Sequence, residues 1–554
     1  MRRVLAALAV AMLWTPLLAV PAAGAATAAA PTPGPRLRVD PRLLLEARTV
    51  WMVIGRADNP VWPGWNASDT PILVYLPGVQ DVLIGHPHPP DGFVRCPGRT
   101  PFGDAPVYLR DGPTTIGWDG QNTSREVGGV QTLVLADSPS NLRQKLRGWM
   151  GDRRPAETKL AELDLERDLA PDLYGEMAMI AHEAFHVFQA RQAPDKGADE
   201  RDVRLYPCLS VENNVSVALE GDALAACMRA ADAPAAREAG LRWLALRHDR
   251  RVHLPARATA YEDANEFSEG LAKYVELALL EALEGQPASD SLYLFQGFRG
   301  FTAAAAYRER LVQGLLGNMR GEVNVNNDRF GTSPVRRRLY FSGMAIATLL
   351  DRLAPGWQSR IIADGVTLTS LAEEALHPAP AELEAALKAV RGGPEVPALT
   401  EAKQRLAREG KRDTDSLLAA VIAGPTTALD FDYAGLRSAK SALSFTPFGV
   451  RALDTLRTLY TLVPIAAQVA SSHNGFEQSL PIPTLEDRGA RRFTFPLQRT
   501  LSPAEIRAVV RAAQDSLAAG HDFKAELPGA RVFAKRARVE AVGRSLVVHC
   551  LPDP

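Results

Sequence analysis

The stretch from Leu173 to Gln192 reads LYGEMAMIAHEAFHVFQARQ and carries two histidines four residues apart, His182 and His186, with Glu183 directly after the first. On a helix, residues four apart share one face about one turn apart, so both imidazoles can reach one metal ion. Glu183 would then lie beside the metal, where it can take a proton from water. This pattern is typical of a zinc hydrolase, so we expect Zn²⁺ as the cofactor.

The residues around this motif predict a helix in a protein interior. Asp172 can cap the first turn, and no proline or glycine falls between Glu176 and Gln192. The apolar members of the stretch include Leu173, Met177, Ile180, Ala184, Phe185 and Phe188. A surface helix with two solvated histidines is the alternative, but this stretch is too apolar to lie wholly in solvent.

The beginning of the chain has the pattern of a secretory signal. Two arginines precede an apolar run from Val4 to Val20, and Ala23-Gly24-Ala25 is a small-residue cleavage site. The run is shorter than a comfortable membrane span. We expect a cleaved signal peptide over residues 1–25, a linker over 26–36, and a secreted or periplasmic protein with no stable membrane span.

The composition of the chain limits its possible partners and its possible disulfide bonds. The chain has 554 residues, enough for several domains, and its formal net charge of −1 gives no sign of a nucleic-acid partner. Four cysteines allow three disulfide pairings, among which the sequence does not choose, and none has the C-x-x-C spacing of a metal site. They are Cys96, Cys208, Cys227 and Cys550.

The pattern of the chain changes twice and predicts an α+β fold. Residues 37–140 hold short apolar runs between turn-forming residues, which predicts a β-rich N-terminal domain. Residues 141–422 have apolar positions three and four apart, which predicts a helical domain. Residues 423–554 return to strand-like runs, with one helix predicted to start at Ser502 and to be capped with Glu505. The clearest strand-like runs are Thr49–Ile54, Ile72–Leu76, Val130–Leu135, Ala428–Tyr433, Ala442–Phe448 and Ser545–Cys550.

The third metal ligand cannot be read from the histidine motif alone. A catalytic zinc site has three protein ligands and an open position, and no third histidine follows closely, so a carboxylate is the better candidate. Glu220 in VALEGDAL and Glu269 in EFSEGLAKY both precede a glycine in a predicted helix. A carboxylate in such a helix is costly to bury unless it is paired or bound to metal. The residues leave both glutamates open.

Three other histidines are weaker candidates for metal binding. His86 and His88 form an H-x-H pair in a proline-rich loop, and His549 lies in a predicted strand. Lone or loop histidines more often have structural roles, so we do not expect these to be ligands.

The string Ser268-Glu269-Gly270-Leu271-Ala272-Lys273-Tyr274, downstream of the helix-borne H-E-x-x-H, resembles the gluzincin branch of zinc metallopeptidases in the MA clan. In that branch the glutamate of the second helix is the third zinc ligand. The resemblance therefore implies a zincin-like helical domain with zinc on His182, His186 and Glu269. It leaves Glu220 as the rival third ligand.

The chain departs from this family at two points. A long insertion, expected to contain a helical hairpin, separates His186 from Glu269. Lys273 stands where thermolysin-like members carry an aspartate that orients a ligand histidine. The candidates for that orienting role are Glu220, Glu266 and Glu276.

The resemblance also implies the chemistry. Glu183 would act as the general base and return its proton to the leaving amine. Tyr340 could stabilise the oxyanion, although a core tyrosine at a helix start is the simpler interpretation. The expected substrate is a peptide or protein. A non-catalytic exported binding or scaffold protein on a zincin-like fold, a metal-dependent hydrolase of another bond, and a chain that binds no metal stay open as alternatives.

Overall fold

The computed structural model confirms the α+β class. Residues in helices make up 49% and residues in strands 19%, with a central helical region between β-rich N- and C-terminal regions. The predicted signal peptide and linker lie outside the described residues. Those residues are 37–96, 102, 105–112, 122–137, 172–295, 297–302, 304–323, 325, 328–436, 441–444, 448–462, 464–469 and 474–551.

The helices and strands follow one another along the chain in three blocks. The described α-helices are α1 (Pro41–Ile54), α2 (Leu173–Gln192), α3 (Val211–Arg229), α4 (Ala233–Arg251), α5 (Ala256–Asn265), α6 (Leu271–Leu283), α7 (Ala304–Met319), α8 (Thr332–Leu353), α9 (Leu368–Leu376), α10 (Pro380–Arg391), α11 (Val396–Ala423) and α12 (Pro503–Ala518). A π-helix, Glu266–Gly270, joins α5 to α6. Short 3₁₀ turns occur at Pro194–Lys196, Glu200–Leu205, Asp290–Leu294 and Trp357–Ser359. The described strands are β1 (Ile72–Leu76), β2 (Gln80–Ile84), β3 (Val94–Arg95), β4 (Val107–Asp111), β5 (Thr123–Val127), β6 (Val130–Ala136), β7 (Ala428–Asp432), β8 (Ser441–Ser444), β9 (Val450–Ala452), β10 (Arg457–Tyr460), β11 (Ala466–Val469), β12 (Asn474–Gln478), β13 (Thr484–Asp487), β14 (Arg492–Pro496), β15 (Phe523–Leu527), β16 (Ala530–Ala534), β17 (Ala537–Val542) and β18 (Ser545–Cys550).

Two compact units alternate along the sequence. The first comprises Met1–Gly197, Glu266–Gln313 and Gly343–Leu371, and the second comprises Ala198–Asn265, Gly314–Ser342 and Ala372–Pro554. Each unit combines three separate segments of the chain, so this division does not correspond to the three consecutive regions expected from the sequence. The expected boundaries at residues 140 and 422 stay predictions.

The first unit combines a sheet with the helix that carries the histidine motif. The sheet has the strand order β3-β4-β2-β1-β6-β5, and β1 pairs antiparallel with β2 and parallel with β6. Helix α2 packs against α1, α6, β5 and β6. Its inner face meets a cluster of aromatic rings, in which Phe185 lies 4.7 Å from Trp62 and 5.3 Å from Trp65 between ring centroids. This packing holds α2 firmly in the interior.

Local sequence signals located three elements of the first unit correctly and assigned one wrongly. The predicted helix from Leu173 to Gln192 and the strand Ile72–Leu76 are confirmed with those bounds, and the run at Val130 is confirmed as β6. Asp172 directly precedes the helix as expected, but its side chain makes no capping hydrogen bond. The strand prediction for Thr49–Ile54 is wrong, because these residues end α1. Asp40 caps that helix through a 2.9 Å bond from the Arg42 backbone N–H, and apolar side chains three and four apart are buried along it.

The second unit contains the expected helical hairpin and the C-terminal sheets. Helices α3 and α4 pack closely against each other within the insertion between His186 and Glu269. The strand orders are β17-β18-β7-β14-β13-β10-β9 and β15-β16-β12-β11-β8. Ser502 and Glu505 form the predicted capping box of α12, and β18 confirms the predicted terminal strand.

Two further expectations can be compared with the described residues. None of the described helices has the length and apolar character needed to cross a membrane. All four cysteines have free thiols, and burial raises the pKa of Cys208 and of Cys550 to about 12. The thiols of Cys208 and Cys550 are therefore protonated at neutral pH.

Candidate metal centre

Helix α2 brings the two histidines onto one face. The imidazole centroids of His182 and His186 lie 4.8 Å apart, as the spacing of four residues requires. His182 is buried, whereas His186 is half-buried. The contacts of Phe185 and Phe188 with Trp62 and Trp65 restrain the rotation of α2 about its axis, and with it the direction of the histidine face.

A π-helix presents Glu269 to this face. Glu266–Gly270 is wound more widely than the α-helices before and after it, and π-turns within helices are frequent at functional sites. Gly343 of α8 packs directly on this segment: a Cβ at Gly343 would lie 2.7 Å from the carbonyl oxygen of Glu266 and 2.7 Å from Cα of Gly270. Only a glycine permits this close approach.

The side chains of His182, His186 and Glu269 converge. Oε2 of Glu269 lies 3.4 Å from Nε2 of His182 and 3.6 Å from Nε2 of His186. One ligand atom from each residue falls within 4.8 Å of the others, and no other group of three or more His, Cys, Asp or Glu side chains in the described part of the chain meets this condition.

Glu276 occupies the orienting position that the sequence left among three candidates. Its Oε1 accepts a hydrogen bond of 2.9 Å from Nδ1 of His182, which leaves Nε2 to face Glu269. Lys273 donates to Oε2 of the same carboxylate, and the hydroxyl of Tyr307 donates to that oxygen at 3.2 Å. The lysine that departs from the family pattern thus supports a glutamate one helical turn further along.

Gln189 performs the corresponding task for His186, and the sequence analysis missed it. Its Oε1 accepts a hydrogen bond of 2.9 Å from Nδ1 of His186. Its amide nitrogen donates to the backbone carbonyls of Phe267 at 2.7 Å and of Ser268 at 3.2 Å. The only available signal was its position three residues after His186, on the same helix face.

Charge is concentrated around His182. Burial lowers the pKa of this imidazole, but its hydrogen bonds to Glu269 and Glu276 outweigh burial and raise the pKa to about 9. Burial raises the pKa of Glu276, but Lys273 and His182 outweigh it and lower that pKa to about 2. The carboxylates of Glu269 and Glu276 thus flank the imidazole of His182. Their negative charges favour the binding of a cation at this position.

The distances from the Glu269 oxygen to the two imidazole nitrogens are compatible with a shared metal ion. Zinc bonds of about 2.0–2.1 Å at tetrahedral angles place ligand atoms about 3.3 Å apart. The two nitrogen-to-oxygen distances at Glu269 are close to that value. Both imidazoles point Nε2 inward because Nδ1 donates to a protein acceptor, which is the usual arrangement of ligand histidines.

Glu183 directly follows His182 in the chain but is not a member of the cluster of His182, His186 and Glu269. Its side chain is half-buried, and no described residue forms a hydrogen bond or ion pair with its carboxylate.

Glu220, the rival candidate for the third ligand, forms ion pairs elsewhere in the chain. Glu220 belongs to the second unit, where it is buried on α3 between two arginines of α4. Its Oε2 accepts from Nε of Arg247 at 3.2 Å, and its Oε1 accepts from Nε of Arg250 at 2.5 Å. These ion pairs account for its burial without a metal.

The other candidates take part in ordinary structural contacts. The hydroxyl of Tyr340, also in the second unit, accepts a hydrogen bond from Arg336, so its oxyanion role stays a prediction. Both ring nitrogens of His86 are engaged, one with the Val127 carbonyl and one with the His88 backbone N–H. His549 bonds Asp432 and Glu540 through its two nitrogens.

We compared the chain with protein-family models, curated proteins and solved structures, and none of them matches.

Proposed function

We propose that this protein is an exported zinc-dependent hydrolase, of the gluzincin type of metallopeptidase. The observation that carries the proposal is the convergence of His182, His186 and Glu269. Glu183 directly follows His182 in the chain, and no described residue binds its carboxylate. Zinc is the natural occupant of two imidazoles and one carboxylate with room for a further ligand.

Each residue of the cluster has a distinct task in this proposal. His182, His186 and Glu269 would hold the ion, and Glu276 and Gln189 would keep the imidazoles in the binding tautomer. When bound, zinc supplies Lewis-acid chemistry, which polarises a carbonyl and makes water more acidic. Glu183 accepts a proton from the attacking water and transfers it to the leaving amine nitrogen.

Glu183 also favours catalysis over the alternative of a binding or scaffold protein. A structural zinc site is closed by four protein ligands and does not require the glutamate of the H-E-x-x-H motif, which is not itself a ligand. The choice of a peptide bond rests on the resemblance of the Ser268–Tyr274 string to gluzincins, and export rests on the N-terminal signal pattern.

The test is a pair of measurements on Glu183→Gln. Elemental analysis should find about one zinc per chain in the wild type and in the variant, because Glu183 is not a ligand. Cleavage of casein or of a peptide library should fall by about 10²–10⁴-fold in the variant, and a chelator should abolish it in the wild type. Glu284→Gln, an exposed glutamate after α6, is the control and should keep full activity. Full activity in Glu183→Gln would refute the mechanism.

A further inference from the structure

One side chain joins the two elements that carry the metal ligands. Gln189 is buried, with 6% of its surface exposed, and lies on α2 one turn after His186. Its oxygen contacts the ring of His186, and its nitrogen contacts the backbone of the π-helix.

The contacted carbonyls belong to the residues directly before Glu269. Phe267 and Ser268 occupy the middle of the π-helix, so a shift of their backbone moves the Glu269 carboxylate with them. A single amide group thus fixes the ring of one ligand and the backbone of another.

Only an amide can form both sets of contacts from one side-chain end. A carboxylate accepts from His186 but cannot donate to carbonyls, and an ammonium donates but cannot accept. A side chain that served only to orient the histidine could equally be a carboxylate, as Glu276 is for His182.

We propose that Gln189 is a positioning residue that couples His186 to Glu269 and so sets the geometry of the metal site. This inference rests on the proposed function, because it assumes that these residues bind zinc. It goes beyond the orientation of a single histidine, since it assigns to Gln189 the placement of the third ligand as well.

The experiment compares Gln189→Met, which loses both sets of contacts, with Gln189→Glu, which keeps only the acceptor for His186. The readouts are the zinc dissociation constant, from competition with a chromophoric chelator, the absorption spectrum of the Co²⁺ form, and the Tm of the metal-free protein. Gln192→Met, exposed at the end of the same helix, is the control. We expect both Gln189 variants to bind zinc about 10–100-fold more weakly and to change the Co²⁺ spectrum.

Three results would contradict the proposed role of Gln189, each for a different reason. Wild-type zinc affinity in Gln189→Glu with weakened affinity in Gln189→Met would overturn the coupling, because orientation of His186 alone would then suffice. A lowered Tm of the metal-free variants with unchanged zinc affinity would overturn it in favour of a merely structural role. A wild-type protein that binds no zinc would overturn the metal centre itself, and the coupling with it.

Discussion

Two buried glutamates of the first unit differ in how their charge is compensated. Glu276 receives hydrogen bonds from His182, Lys273 and Tyr307, and its pKa is lowered. Glu46 on α1 is fully buried, and neither of its carboxylate oxygens has a hydrogen-bond partner among the described residues. Burial raises the pKa of Glu46 well above its usual value, and the nearby Glu176 raises it further. The folded environment of Glu46 therefore favours its neutral, protonated form.

Glu46→Gln should remove a pH dependence of stability. Because the pKa of Glu46 is raised in the folded protein, the folded state binds this proton more tightly than the unfolded chain, and wild-type stability falls as the pH rises above the ordinary value of 4.5. The amide needs no proton, so the variant should have a higher Tm at pH 7–8 and an equal Tm at pH 4. Each kcal/mol recovered raises Tm by about 2–4 °C. Thermal unfolding across this pH range measures the effect, with Glu284→Gln as control; equal curves at all pH values would contradict it.

At the scale of elements, the site depends on the contact between α8 and the π-helix. Helix α2 presents the histidines by its own periodicity, but Glu269 depends on a locally widened turn. Gly343 allows α8 to approach the backbone of Glu266 and Gly270 within a distance that a side chain would forbid. The position of Glu269, the proposed third ligand, is thus influenced by a helix that contributes none of the proposed ligands.

Gly343→Ala should weaken metal binding as well as stability. The added methyl group must push the π-helix, because the nearest atoms are backbone. Such overpacking costs typically about 1–3 kcal/mol. Gly221→Ala is the matched control, since its Cβ would lie 2.4 Å from Cβ of Met319 within the second unit. Both variants should unfold at lower temperature, but only Gly343→Ala should raise the zinc dissociation constant; an equal zinc affinity in the two variants would argue against this role of α8.

At the scale of the whole molecule, the insertion between His186 and Glu269 builds part of the second unit. The hairpin of α3 and α4 is joined by buried ion pairs, in which Arg250 bonds both Glu220 and Glu262. The pKa of Glu262 is lowered, because the attraction of Arg250 and Arg251 outweighs the opposite effect of burial. The network stabilises the insertion and uses the carboxylate that, from the sequence, rivalled Glu269.

Glu220→Gln and Glu269→Gln should therefore affect different properties: the first should lower the stability of the fold, and the second should weaken zinc binding. Loss of the Glu220 charge leaves two buried arginines undercompensated and should destabilise the fold by about 3–5 kcal/mol, with zinc content unchanged. Loss of the Glu269 charge should empty or weaken the zinc site with little effect on the metal-free fold. Denaturant unfolding and elemental analysis of both variants check this. Loss of zinc in Glu220→Gln alone would reverse the assignment of the third ligand.

Features that depend on neighbouring residues were largely predictable. The helix at Leu173–Gln192, the capping box at Ser502 and the strand at Ser545 follow from periodicity and local hydrogen bonding. The error at Thr49–Ile54 has a local cause too. A short apolar run suits either a strand or a helix end, and the capping Asp40 that decides for a helix lies nine residues before the run.

The sequence by itself determined that two imidazoles share one helix face with a glutamate beside them, because the helical period acts over four residues. The residues alone left Glu220 and Glu269 both open, and only the resemblance favoured Glu269, since the choice depends on which partners reach each carboxylate after packing. The tertiary structure supplies two arginines to Glu220 and two imidazoles to Glu269. It alone also revealed Glu276 and Gln189 as the supports of the site, because their contacts join helices that are distant in the chain.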